Sequence, residues 1–131
     1  MSEKSNSSMR TPLSQVRYLG SARSGTRHAW HMRVTSIALL PLTLAFVWLV
    51  LTLVGKDYAV VRATLANPVW AVIVLLFLLS GIYHMMMGMQ TIIEDYIHGE
   101  TARTWSLMLN LFFCAVAGLA CIYAVLRIGF A

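Results

Sequence analysis

Charged side chains are scarce in this sequence. Asp, Glu, Lys and Arg make up 11% of its 131 residues, whereas the apolar set makes up 59%, and the mean hydropathy is +0.72. A soluble domain carries about 25% charged residues, which keep its surface hydrated. The shortage of charge excludes a soluble enzyme and indicates a chain that lies in lipid.

Acidic residues and cysteines are also few. Five acids stand against ten bases, but the bases flank apolar stretches and do not alternate with aromatic residues along a polar segment, so we exclude a nucleic-acid-binding domain. Cys114 and Cys121 lie seven residues apart in one apolar stretch, too far apart to pair and without metal-ligand spacing. A disulfide-stabilised secreted domain is therefore excluded, and we expect both cysteines to be small packing residues.

Three stretches contain no Asp, Glu, Lys or Arg: residues 34–55, 63–93 and 104–126. A helix needs roughly 20 apolar residues to cross a hydrocarbon core of about 30 Å. The sequence therefore predicts an all-α integral membrane protein with three transmembrane helices, over about residues 35–54, 69–93 and 105–126. Pro41 can kink the first helix. We expect loops over residues 55–67 and 94–104.

The positions of Lys and Arg predict the orientation of the chain. Six of the ten precede the first span, two lie in the first loop, one in the second loop and one near the C-terminus. The positive-inside rule then predicts a cytoplasmic N-terminus and a periplasmic C-terminus. We expect a polar, basic cytoplasmic segment over residues 1–33 and a membrane domain over residues 34–131. The first apolar stretch begins near Thr35, too late for a signal peptide, so we expect no cleavage.

His84 is the one ionisable residue deep inside a predicted span. Such residues are costly to place in lipid and usually face a partner or a cofactor, although a histidine that only hydrogen-bonds a neighbouring helix is an alternative. At 100° per residue its helix face also carries small and polar residues: Ser80, Gly81, Gly88, Thr91 and Asp95. Small residues there would leave room for a flat group such as haem, or would let another helix approach closely. The sequence is compatible with both uses.

The third predicted span also carries small and polar residues, within about 120° of arc. They are Ser106, Asn110, Cys114, Ala117, Gly118 and Cys121. A face of this kind is suited to packing between helices.

Three further residues are candidates at the cytoplasmic side of the bilayer. Asp95 and Tyr96 can be a helix end with an aromatic anchor, or can hydrogen-bond a quinone carbonyl and provide its proton path. Arg33, the last charge before the first span, can be part of the basic flank or can pair with a haem propionate. The predicted orientation allows these three residues to share a site.

The pattern H-x3-G-x6-D-Y on the second of three spans resembles the small hydrophobic anchor subunit of succinate dehydrogenase, respiratory complex II. Its residues here are His84, Gly88, Asp95 and Tyr96. The R-x-T sequence formed by Arg33 and Thr35, which follows a basic segment containing Trp30, is similar to the bacterial form of the same subunit. The resemblance covers about residues 20–131 and rests on the spacing of a few residues.

The resemblance implies a role for each matching residue. His84 would be one axial ligand of a haem b, with the second ligand from the cytochrome b membrane subunit, and Arg33 would lie at a haem propionate. Tyr96 would hydrogen-bond ubiquinone, and Asp95 would support that site. The family's additional histidine before the arginine has two possible counterparts, His28 and His31, so neither is assigned.

The resemblance also implies a heteromeric, haem-binding helix bundle in the bacterial inner membrane. The chain would be a non-catalytic subunit that anchors the flavoprotein and iron–sulfur subunits and serves electron transport and the tricarboxylic acid cycle. The residues agree, because the sequence has no flavin motif and no cysteine cluster. One intramembrane histidine also cannot complete a six-coordinate haem, so a partner or a second copy of the chain is needed.

Two other functions compete with this interpretation. In a small transporter or channel subunit, His84 would relay protons, but such a path favours further ionisable residues inside the other spans, and the sequence has none there. The second alternative is an assembly scaffold without a cofactor, as in related fumarate reductase anchors that lack the histidine.

Overall fold

The computed structural model describes the backbone of residues 23–130 and the side chains of residues 25–129. This part of the chain forms four helices: α1 (Arg23–Leu53), α2 (Tyr58–Ala66), α3 (Pro68–Tyr96) and α4 (Glu100–Phe130). Helices α1, α3 and α4 are long and apolar enough to cross a membrane, and residues 23–130 contain no strand. The predicted all-α class with three membrane spans is confirmed.

The long helices extend beyond the apolar stretches of the sequence. Helix α1 begins at Arg23, within the segment expected to be polar, and residues 97–99 alone separate α3 from α4. An α-helix satisfies its own backbone hydrogen bonds, so it can continue through polar residues at the membrane surface. Residues 1–22 of the predicted N-terminal segment lie outside the described residues.

The prediction of a loop over residues 55–67 was wrong, because α2 occupies most of it. Gly55 ends α1 with a φ of 75°, a left-handed conformation that glycine adopts without steric cost. Asn67 separates α2 from α3, and its side-chain oxygen accepts a hydrogen bond from the Val69 N–H at 2.9 Å. Pro68 then occupies the first position of α3, where its missing N–H costs nothing. These residues turn the chain back into the membrane.

Helix α3 lies between α1 and α4 and contacts both. Along the α1–α3 interface, Phe46 stacks on Phe77 with ring centroids 4.4 Å apart, and Thr35 pairs with His84 further along. Residue numbers fall along α1 as they rise along α3, so the two helices are antiparallel. The short helix α2 packs against α3 and α4.

Helix α4 packs on the opposite side of α3 through the small-residue face predicted for the third span. The Asn110 side chain donates a hydrogen bond to the Met86 carbonyl at 3.0 Å, and a Cβ added at Gly118 would lie 4.0 Å from Leu79 Cδ2. Cys114 is buried on the same face, so the packing role expected for it is confirmed.

Few apolar side chains are buried within residues 25–129. The buried ones are Leu49, Val74, Met87, Ile93 and Cys114, whereas most large apolar side chains of the long helices are exposed. Because lipid tails are as apolar as these side chains, such a surface suits contact with lipid or with other membrane helices.

Candidate functional site

His84 is half-buried and faces α1. Its Nδ1 lies 2.9 Å from the Thr35 Oγ1, and no described residue makes a hydrogen bond to its Nε2. The Thr35 hydroxyl also lies within hydrogen-bond distance of two carbonyl oxygens of its own helix, 2.9 Å from His31 O and 3.0 Å from Met32 O. One nitrogen of the imidazole is therefore held by α1, and the other is available to a ligand.

Three hydrogen-bonded pairs cross the interface between α1 and α3, and we call them the polar row. The pairs are His28 Nε2 with Thr91 Oγ1 at 3.2 Å, His31 Nδ1 with the Tyr83 hydroxyl at 3.0 Å, and Thr35 with His84 at 2.9 Å. They occupy the half of the interface nearer the end of α3, while the other half holds the stacked phenyl rings. The side chains that lipid would penalise are thus partnered within the chain.

The two glycines beside His84 also face α1. A Cβ added at Gly81 would lie 3.9 Å from Leu39 Cδ2, and one added at Gly88 would lie 4.0 Å from Met32 Cε. Of the two uses that the sequence left open for these glycines, this geometry favours the close approach of a neighbouring helix.

Asp95 and Tyr96 lie at the end of α3, where the helix ends with the Ile97 N–H bonded to the Ile93 carbonyl. Both side chains are exposed, and Tyr96 retains 77% of its accessible surface. A site there is open on this chain, so other subunits or lipid would have to enclose a ligand bound to it.

Arg33 lies nearer the height of His84 than that of Tyr96. Met32 packs opposite Gly88 and Thr35 opposite His84, so Arg33 is roughly 13 Å from the level of Tyr96 along the helix axis. It is also roughly 160° around α1 from Thr35, and its side chain is exposed. The register of α1 against α3 therefore separates Arg33 from Asp95 and Tyr96 along the helix axis, and a site shared by the three residues stays a prediction.

The donor chemistry at His84 fits a haem. Neutral imidazole nitrogen is a common axial ligand of haem iron, and the Nε2 of His84 has no competing hydrogen bond from a described residue. Among residues 25–129 no group of three or more His, Cys, Asp or Glu side chains is placed to hold a metal ion. His84 could therefore offer one axial ligand to a haem, and a six-coordinate haem bound there would need a second ligand from elsewhere.

The sequence indicates the histidines as candidates but not their partners. Thr35 is recognisable only as part of R-x-T and Thr91 only as a neighbour of His84 on its helix face, while no pattern marks Tyr83. Each histidine has a hydroxyl residue at the same height on the opposite helix. That correspondence could identify the partners, but only once the register of α1 against α3 is known.

These features define a multi-pass α-helical membrane protein whose intramembrane polar residues are paired along one interhelical interface. The family described as the succinate dehydrogenase/fumarate reductase transmembrane subunit matches residues 7–123. The chain therefore belongs to this family of transmembrane subunits.

Related proteins resemble the chain along most of its length. The succinate dehydrogenase hydrophobic membrane anchor subunit of Paracoccus denitrificans is 34% identical over 119 residues, which cover 91% of this chain and 92% of that relative. The subunit of the same name from Rickettsia bellii (strain RML369-C) is 29% identical over 116 residues, covering 88% and 93%. The succinate dehydrogenase membrane anchor subunit of Reclinomonas americana is 30% identical over 90 residues, covering 66% and 75%. No solved structure matches the chain significantly.

Proposed function

We propose that this chain is the membrane anchor subunit of a succinate:ubiquinone oxidoreductase in the bacterial inner membrane. The observation that carries the proposal is the similarity, over 91% of the chain, to a subunit named as the hydrophobic membrane anchor of succinate dehydrogenase. The chain would hold the flavoprotein and iron–sulfur subunits at the cytoplasmic surface, together with a cytochrome b membrane subunit. The excess of Lys and Arg before the first span supports a cytoplasmic N-terminus and a periplasmic C-terminus.

In this proposal His84 is one axial ligand of a haem b shared with the cytochrome b subunit. The free Nε2 of His84 supports the assignment. Bound haem supplies a one-electron redox centre inside the membrane. Arg33 would pair with a haem propionate through its permanent charge. It is exposed and lies close to the height of His84, on another side of α1 from Thr35, so the propionate would have to extend around α1 toward it.

Ubiquinone would bind at the cytoplasmic end of α3. The Tyr96 hydroxyl would donate a hydrogen bond to a quinone carbonyl, and the Asp95 carboxylate would support proton delivery to that oxygen. The exposure of both residues supports a site completed by the neighbouring subunits. Electrons from succinate would reach the quinone there through the flavoprotein and iron–sulfur subunits.

The proposal is tested by purifying the tagged chain from its own membranes in mild detergent. We expect a flavin-containing subunit, an iron–sulfur subunit and a second membrane subunit to co-purify in equal amounts, with succinate-dependent reduction of ubiquinone. A tagged, unrelated three-span protein from the same membranes is the control. A chain that purifies without flavin and without iron–sulfur EPR signals would contradict the proposal.

A further inference from the structure

We propose that Thr35 is a positioning residue that sets the tautomer of His84, so that the Nε2 lone pair points to the haem iron. This inference rests on the proposed function, since it concerns His84 as a haem ligand. It assigns a role to the threonine of the R-x-T sequence, which has no other role in the account above.

The Thr35 hydroxyl has a single proton to donate. That hydroxyl lies 2.9 Å from His31 O and 3.0 Å from Met32 O, and a backbone carbonyl only accepts hydrogen bonds. When the proton points to either carbonyl, the Thr35 oxygen has a lone pair left for His84 Nδ1 at 2.9 Å. Nδ1 must then carry the imidazole proton, and Nε2 carries a lone pair.

The opposite tautomer leaves a polar group without a partner. If Thr35 donated its proton to Nδ1, the proton of His84 would be on Nε2. No described residue accepts a hydrogen bond from that nitrogen, and lipid offers no acceptor. The Nδ1–H tautomer satisfies every donor, and it is the form in which Nε2 can bind iron.

Helix packing fixes the position of the Thr35 hydroxyl. The contacts of Met32 with Gly88 and of Leu39 with Gly81 lie about one helical turn on either side of the Thr35–His84 pair. The two glycines let α1 approach closely enough for a side chain as short as threonine to reach the imidazole. The R-x-T sequence would thus combine a charge for the propionate with the hydroxyl that orients the ligand.

The hydrogen bond should also influence the electronic properties of the iron. An acceptor at Nδ1–H increases the basicity of the imidazole, which stabilises ferric iron relative to ferrous iron. Removing the acceptor should therefore shift the midpoint potential of the haem to more positive values.

The test compares variants of the purified complex by redox titration of the haem and by EPR of its ferric form. Thr35→Val keeps the shape of the side chain but removes the hydroxyl, whereas Thr35→Ser keeps the hydroxyl. Ser36→Ala is the matched control, because Ser36 donates to the same Met32 carbonyl from the next position of α1 and makes no bond to His84. We expect a positive shift of potential and altered g values in Thr35→Val, with wild-type values in Thr35→Ser and Ser36→Ala.

Loss of haem from Thr35→Val, with haem retained in Thr35→Ser, would also support the role of the Thr35 hydroxyl. Thr35→Ala removes the same hydroxyl and replaces Thr35→Val if that variant does not assemble. A wild-type potential and EPR spectrum in the hydroxyl-free variant would overturn the role of Thr35, as would a shift of equal size in Thr35→Ser. Failure of the proposed function is recognised separately, because His84→Ala would then leave the haem signals unchanged.

Discussion

At the residue scale, the polar row explains how one interface of an apolar protein holds three histidines. His28, His31 and His84 each meet a hydroxyl on the opposite helix, so none of these rings depends on lipid for a hydrogen bond. His31 and His84 are both bonded through Nδ1, and no described residue makes a hydrogen bond to the Nε2 of either ring. His84 differs from His28 and His31 in its position, because it alone lies deep inside a long uncharged stretch, whereas the other two precede the first one. That position makes it the candidate ligand among the three.

Replacement of Tyr96 by Phe tests the proposed quinone site at this scale. The change removes the hydroxyl and keeps the ring, so we expect ubiquinone reduction by succinate to fall about five- to tenfold, the equivalent of one hydrogen bond of about 1 kcal/mol. Succinate oxidation measured with an artificial acceptor that takes electrons before the quinone should be unchanged.

Tyr58→Phe is the matched control for this variant. Tyr58 is 79% exposed, close to the 77% of Tyr96. It lies on α2, which precedes the start of α3, whereas Tyr96 lies at the end of α3. Equal activities of the two variants with ubiquinone would remove Tyr96 from the site.

The residues that bear unusual chemistry were predictable from the sequence, but their partners were not. His84 is recognisable because an ionisable residue inside a long apolar stretch is costly. Thr35 is 49 residues away from it, and their contact depends on how α1 is shifted along α3. A local sequence pattern does not determine that shift. The same register moves Arg33 away from the end of α3.

At the element scale, the three uncharged stretches predicted the three long helices because the thickness of the membrane sets their minimum length. Helix α2 was missed for a physical reason. It has nine residues and includes Arg62, so it has neither the length nor the uninterrupted apolar character that indicates a span. Gly55 and Asn67 form the turns on either side of it, and a segment between two spans that shows no span of its own is predicted as a loop.

Substitutions at Gly88 test whether this glycine serves helix packing. A Cβ at Gly88 would lie 4.0 Å from Met32 Cε, an ordinary contact, so Gly88→Ala should assemble and keep its haem. Gly88→Leu should push α1 away from α3, at a cost of about 1–3 kcal/mol, and lower both the melting temperature and the haem content of the complex. Thermal denaturation followed by haem absorbance measures both effects.

Gly129→Leu is the control, because a Cβ at Gly129 has nothing within 4 Å and the residue lies near the end of α4. It should behave as wild type. Loss of haem from a fully assembled Gly88→Ala complex would show that the glycine contacts the haem and would contradict the packing role.

At the scale of the whole molecule, α3 lies between α1 and α4, and this arrangement leaves most of the apolar surface uncovered. Within the candidate spans, about 6–11% of the residues are buried inside the chain. A soluble protein could not expose so much apolar surface, but lipid and partner helices can cover it. A haem held by His84 and a quinone held at the open end of α3, as proposed, would likewise need neighbouring subunits. The chain therefore has the properties of one part of a larger membrane complex.

The central claim is that this chain supplies His84 to a haem shared with a partner subunit. The most direct measurement is the reduced-minus-oxidised absorption spectrum of the purified complex, together with EPR of the ferric haem, for wild type and His84→Ala. His98→Ala is the control, because His98 lies in the short segment between α3 and α4, outside the membrane spans. We expect the b-type band and the bis-histidine signal to be lost or shifted in His84→Ala and unchanged in His98→Ala. An unchanged bis-histidine signal in His84→Ala would contradict the role of His84 as a haem ligand.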